Sequence, residues 1–192
     1  MSIVDEKFRK VRLDQTPYLF HFMRGTGDEA KTILGTILKE ERLISSNGYI
    51  CFTASPVTAL MDFFKTKKST DGLPMYQPYG IGFSRDLLIK DYCARNVIYS
   101  TEDEIAVLPQ EIRWRTLKLE IGKYDFEYLR EWRVPMGELN FKFFPKSEIL
   151  IVAPTVKDLN DLIIFHDVQF SPVENYMTGD RSEEHTSELQ SR

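Results

Sequence analysis

"YGIGFSRDLLIKDY" (residues 79–92) carries the choice between two fold classes. In a doubly wound α/β domain, a strand–glycine–helix passage of this kind holds a phosphate, its glycines spaced to turn the chain beneath a pyrophosphate. Here Gly80 and Gly82 lie within one apolar run, on either side of Ile81, and no suitable strand comes before them. That spacing is wrong for a dinucleotide loop. The passage reads as a strand over 79–84 with a short helix behind it, capped by Ser84.

On its N-terminal side, "YLFHFM" (18–23) is a β-rich run ended by Gly25 and Gly27. The next stretch, 26–43, places Ala30, Ile33, Leu34, Ile37 and Leu38 on one face of a helix, with Thr26 or Asp28 as its cap. "YICFT" (49–53) is a short buried strand, and Ser55-Pro56 opens a helix whose stripe is Val57, Leu60, Met61 and Phe64. The basic loop "KTKKSTDGLPMYQP" (65–78) either lies over a site or simply links. Beyond the opening passage, "NVIYS" (96–100) is a strand, and Thr101 with Glu104 fits a capping box before a helical stretch broken near Pro109. "FEYLREWRV", "FKFFP" and "EILIVAP" read as three strands, "TVKDLNDLI" as a helix and "FHDVQF" as a last strand. Helices separate the early strands and strands cluster late. The expectation is an α+β fold, a single domain over 1–180 with a split, mostly antiparallel sheet flanked by helices.

Composition narrows the function classes. Hydrophobic residues make up 42% of the 192 and charged residues 28%, enough for one core. A net charge of −4 gives no basic surface of the kind that tracks nucleic acid or anionic lipid. No run approaches the roughly 20 apolar residues of a membrane span, and the charged N-terminus has no signal-peptide core. Cys51 and Cys93 have no metal-ligand spacing and sit in apolar surroundings, so they read as reduced core residues of a cytoplasmic protein. The last twelve residues, "RSEEHTSELQSR" (181–192), turn abruptly polar. They match the conceptual translation of a common sequencing adapter through Ser191, which makes them a non-native tail in place of the native C-terminus.

Three positions have the chemistry of a site. His21 stands inside a hydrophobic strand, where an imidazole must find a hydrogen bond or lose about 1–3 kcal/mol; it is either a bonded core histidine or a ligand-facing one. "CFTASP" ends a strand with Phe52, Thr53 and Ser55 beside a helix start, which suits a ribose, an amide or a phosphate, or merely caps the helix. Glu131, between Arg130 and Arg133 in "REWRV", is either a surface ion-pair partner or a carboxylate that stabilises positive charge growing on a sugar carbon. Arg133 shares its face and would hold it. Nothing resembles a serine nucleophile elbow, a zinc helix or a Walker loop, and no metal site is expected.

Taken in order, "LFHFMRG", "YICFTASPVTALMDF", "YGIGFSRDLLIKDYCARNVIY" and "REWRV" resemble the bacterial abortive-infection proteins of the AbiGi type, a family of putative antitoxins in phage-resistance loci. The likeness spans roughly residues 18–153. The same layout is more remotely similar to ADP-ribosyltransferase-like folds of the His-Tyr-Glu kind. That resemblance implies a cleft binding NAD as substrate, with His21 on a ribose hydroxyl, Phe52 or Thr53 at the nicotinamide and Glu131 catalytic. Tyr79 and Tyr49 are the candidates for its stacking tyrosine, and Ser55, Tyr79 and Arg133 complete the expected binding set. The first resemblance implies a partner protein, a cognate toxin or antitoxin; the second implies a macromolecular acceptor of ADP-ribose.

Overall fold

The computed structural model describes residues 16–66, 75–120, 122, 126–166 and 176–177. The described strands are β1 (Tyr18–Phe22), β2 (Arg42–Ile44), β3 (Ile50–Thr53), β4 (Gly80–Ser84), β5 (Arg95–Asn96), β6 (Ile98–Ser100), β7 (Thr116–Lys118), β8 (Glu131–Val134), β9 (Glu138–Asn140), β10 (Ile149–Val152) and β11 (Tyr176–Met177). Seven form one sheet in the order β11-β10-β4-β1-β3-β8-β5, antiparallel throughout except for β10 with β11. Two small ribbons flank it, β2 with β9 antiparallel and β6 with β7 parallel. The class is α+β with a mostly antiparallel sheet.

Helices cover both faces. Helix α1 (Gly27–Glu40) starts at Thr26, whose side chain accepts from the Glu29 amide while Glu29 reaches back to the cap, and ends at Glu41 in the left-handed region. It buries Ala30, Leu34 and Leu38 with Leu159 and Leu162 of α5 (Val156–His166) against Leu19, Ile81, Phe83 and Ile151 of the sheet. Each fully buried leucine stabilises this face by about 1.5–3 kcal/mol. Lys31 ties α1 to α5 through Asp158 at 2.8 Å and Asp161 at 2.7 Å. On the opposite face α2 (Val57–Thr66) buries Val57, Leu60 and Phe64 against Phe20, Phe22, Leu150 and Val152. β10 is therefore buried on both sides, which explains its unbroken apolar run Ile149–Val152.

The two glycines of β4 answer a packing demand rather than a phosphate. Phe20 pairs with Gly82 and Phe22 with Gly80, and a Cβ built on either glycine would come within 2.6 Å of the facing ring. Only hydrogen leaves room for the two rings to lie across the strand. Ser84 caps α3 (Arg85–Asp91), as its position in the sequence predicts.

β1 and β3 are joined by one registered pair, Phe20 with Thr53, whereas β3 pairs with β8 along its whole length, from Ile50 with Val134 to Thr53 with Glu131. Phe20, Thr53 and Glu131 thus stand in line across three strands. Beyond Phe20 the central strands part.

Several boundaries differ from expectation. Residues 141–144 form a turn that buries Phe141 and Phe144 and exposes Phe143, so "FKFFP" is not a strand; β9 ends at Asn140. "NVIYS" divides between β5 and β6, in different sheets. Helix α4 (Glu102–Val107) keeps its Thr101–Glu104 capping box, but the chain past Pro109 makes a 3-10 turn and then β7. β2 follows the end of α1 without a sequence signal beyond the apolar Leu43 and Ile44. Phe165 and His166 close α5, and the rest of "FHDVQF" lies outside the described residues, as does the 181–192 tail.

Gly82→Ala should lower stability by about 1–3 kcal/mol through overpacking against Phe20. Gly27→Ala, at a position with open space around its Cβ, should change it by less than about 0.5 kcal/mol. Urea unfolding of both variants checks the contrast.

Candidate functional site

Where β1 leaves β3, a pocket of about 470 Å³, counting its open mouth, lies on the α2 side of the sheet. Phe20 and Phe22 of β1 and Leu60, Phe63 and Phe64 of α2 make apolar walls; Cys51, Phe52 and Thr53 of β3, Glu131 of β8, His21, Tyr76 and Leu129 complete it. The lining has the character of a small-molecule site, with few polar groups among many aromatic ones.

Glu131 and Arg133 alternate on β8 and so point to one side. Arg133 Nε donates to Glu131 Oε1 at 2.8 Å, with the side chains only 6% and 15% exposed. The guanidinium also donates to the Trp114 and Thr116 carbonyls at 2.7 and 3.2 Å and lies 4.3 Å from the centre of the Tyr49 ring. Burial opposes the Arg133 charge, yet the Glu131 carboxylate more than offsets it and holds the pKa above its ordinary value. The carboxylate is thereby fixed in one rotamer, facing a largely apolar cleft.

His21 pairs with Ile81 and so has the parity of the α1-side face, its ring centre 5.9 Å from that of Phe52, yet it also lines the pocket where β1 leaves β3. Its Nδ1 lies 2.8 Å from the Cys51 carbonyl, an acceptor, so Nδ1 carries the proton and the neutral ring presents Nε2 as an acceptor. Nε2 has no hydrogen-bond partner among the described residues. The residue is partly exposed, yet burial pushes the pKa down, with the Cys51 bond offsetting some of the shift. The imidazole is neutral near pH 7.

The other expected residues divide. Thr53 lines the pocket, but its hydroxyl donates to the Leu129 carbonyl; Phe52 lines it while its ring also meets Phe83 in the α1-side core. Ser55 is buried with its hydroxyl on the Tyr128 carbonyl and does not reach the pocket, and α2 begins after it at Val57. Tyr79 is a correction. It shares the parity of Ile81 and Phe83, packs in the α1-side core and bonds Asp158, so it stands on the wrong face to stack in the cleft. Tyr49 is engaged by Arg133.

Tyr76, not among the tyrosines the sequence offered, stands in the pocket instead. It lines the pocket, its ring 6.0 Å from that of Phe63, and burial raises its pKa. The sequence signal was its place at the end of the basic loop 65–78; of that stretch, Tyr76 lines the pocket, and residues 67–74 lie outside the described residues. Cys51 was also missed. It lines the pocket, and burial together with the adjacent Glu131 charge pushes its thiol up to about 12. Cys93 is exposed, contrary to its reading as a core residue, and both thiols are free. Among the described residues no group of three His, Cys, Asp or Glu side chains could hold a metal ion, and no helix is long and apolar enough to cross a membrane.

Comparison with protein-family models, curated proteins and solved structures gave no match to this chain.

Two outcomes follow from these environments. Because the unfolded chain binds the His21 proton before the native one does, stability from this group is full above about pH 6.5 and is lost as pH falls toward the native pKa. In urea melts, His21→Asn should flatten the stability loss between about pH 6.5 and 5; an unchanged slope would count against the buried neutral ring. With iodoacetamide at about pH 8, Cys93 should be labelled and Cys51 spared until denaturant is added, which peptide mass mapping reads directly.

Proposed function

We propose that the cleft binds NAD by its nicotinamide riboside end and that the chain is an ADP-ribosyltransferase-like enzyme, transferring ADP-ribose or cleaving NAD, in bacterial phage defence. The observation that carries this reading is the meeting of His21 and Glu131, 110 positions apart in the chain, on one aromatic pocket. The phage-defence setting rests on the likeness of "YGIGFSRDLLI", "NVIY" and "REWRV" to the abortive-infection family.

The chemistry suits the groups present. The C1′–N bond breaks with its electron pair passing to the pyridinium nitrogen, so nicotinamide leaves neutral and positive charge appears on the ribose. Aromatic walls favour a leaving group that loses its charge. The Glu131 carboxylate stabilises the sugar cation, and an acceptor hydroxyl, amine or water then bonds C1′ and gives up its proton. His21 Nε2, an acceptor, takes a hydrogen bond from a ribose hydroxyl, while Tyr76 and Phe63 offer faces for the nicotinamide ring.

A second reading, a non-catalytic antitoxin or sensor that binds a partner toxin, draws support from two features. The Thr53 and Ser55 hydroxyls are engaged by backbone carbonyls, and Phe143 is 89% exposed. Co-purification with the product of an adjacent gene tests it.

Glu131→Gln retains an acceptor for Arg133 and should cut nicotinamide release from NAD at least about 100-fold in kcat with little change in KM. A folded Glu131→Gln variant, shown so by circular dichroism, with wild-type turnover would end the enzymatic reading.

A further inference from the structure

We propose that Arg24 is the phosphate-binding residue of this cleft, so that the site selects nicotinamide riboside bearing a 5′-phosphate over the bare riboside; this rests on the NAD reading above. The alternation that turns Phe20 and Phe22 toward the pocket continues to residue 24. Arg24 is exposed, and its guanidinium lies 5.6 Å from the centre of the Tyr76 ring, a wall of the same pocket. Its charge also opposes part of the rise that burial causes in the Tyr76 pKa. Three residues of extended chain separate it from His21, about 10 Å, which places the cation one sugar-phosphate step beyond the residue assigned to the ribose.

The charge distribution of the cleft gives Arg24 its role. The pocket wall carries one carboxylate, Glu131, whose charge is balanced by Arg133, and a neutral imidazole, so neither attracts an anionic ligand. Arg133 is buried and engaged by Glu131 and two carbonyls, which leaves the phosphate role to another cation. Among the described residues Arg24 has no carboxylate at ion-pair distance. Of the two acids that follow it in the chain, Asp28 and Glu29, neither forms an ion pair with Arg24, and Glu29 is turned onto its own helix start, accepting from the Thr26 amide at 2.8 Å and the Thr26 hydroxyl at 2.9 Å. Arg24 is therefore a cation at the rim that lies against the Tyr76 ring, a contact that a phosphate would outbid through charge-assisted bonds.

The test uses calorimetry with nicotinamide mononucleotide and nicotinamide riboside as probes, on wild type, Arg24→Gln and Lys39→Gln. Lys39→Gln removes the same charge from the exposed far end of α1. Wild type should bind the mononucleotide more tightly than the riboside. Arg24→Gln should weaken the mononucleotide about 10–100-fold, change the riboside less than threefold and flatten the salt dependence, while Lys39→Gln matches wild type. Equal weakening of both probes, or none, would overturn the phosphate role while leaving the NAD reading standing. Wild type binding neither probe would overturn both.

Discussion

The carbonyl of Cys51 is the constraint on which the site depends. After the Phe20–Thr53 pair, β1 turns away from β3 and no longer supplies ladder donors. A buried carbonyl left without a partner costs free energy comparable to a lost hydrogen bond. His21 meets it with Nδ1, so one side chain closes the gap in the sheet and is itself locked in tautomer and orientation. The same contact keeps the strands apart at the point where the pocket opens. Structure and chemistry share a single bond there.

Everything else about the cleft braces that opening. On the β8 side, Arg133 donates to Glu131 and to two carbonyls that come from the 3-10 turn and β7, which ties the carboxylate to the sheet. On the β1 side, Gly80 and Gly82 let the rings of Phe20 and Phe22 lie on β4, giving the pocket a firm apolar wall. Thr53 and Ser55 pin residues 128–129 to the end of β3, which sets where β8 begins. A carboxylate held in one fixed geometry requires supports of this kind.

Local structure was readable in the sequence because it rests on local physics. The Thr101–Glu104 capping box, the Ser84 cap and the core positions Ala30, Leu34 and Leu38 follow from spacing within one turn or two, and of the two caps offered for α1, Thr26 and Asp28, the structure uses Thr26. Glu131 with Arg133 followed from strand alternation. The meeting of His21 with Glu131 came from resemblance and not from spacing, since it depends on the order of strands in the sheet. Tyr79 was misplaced for a related reason: its parity with Ile81 puts it on the α1 face, but which face carries the pocket is a tertiary fact. "FKFFP" has strand composition, yet Phe141 and Phe144 are three apart and both buried, which a turn satisfies and a strand does not.

The central claim is that a neutral His21, protonated on Nδ1, offers Nε2 to a sugar hydroxyl inside the cleft. Long-range proton–nitrogen correlation of the imidazole, recorded near pH 7 with and without NAD, tests this most directly. The account predicts a protonated Nδ1, an unprotonated Nε2, and an Nε2 resonance that moves as NAD saturates the site while Nδ1 stays in place. A ring protonated on Nε2, or an Nε2 signal unmoved at saturating NAD, would contradict it.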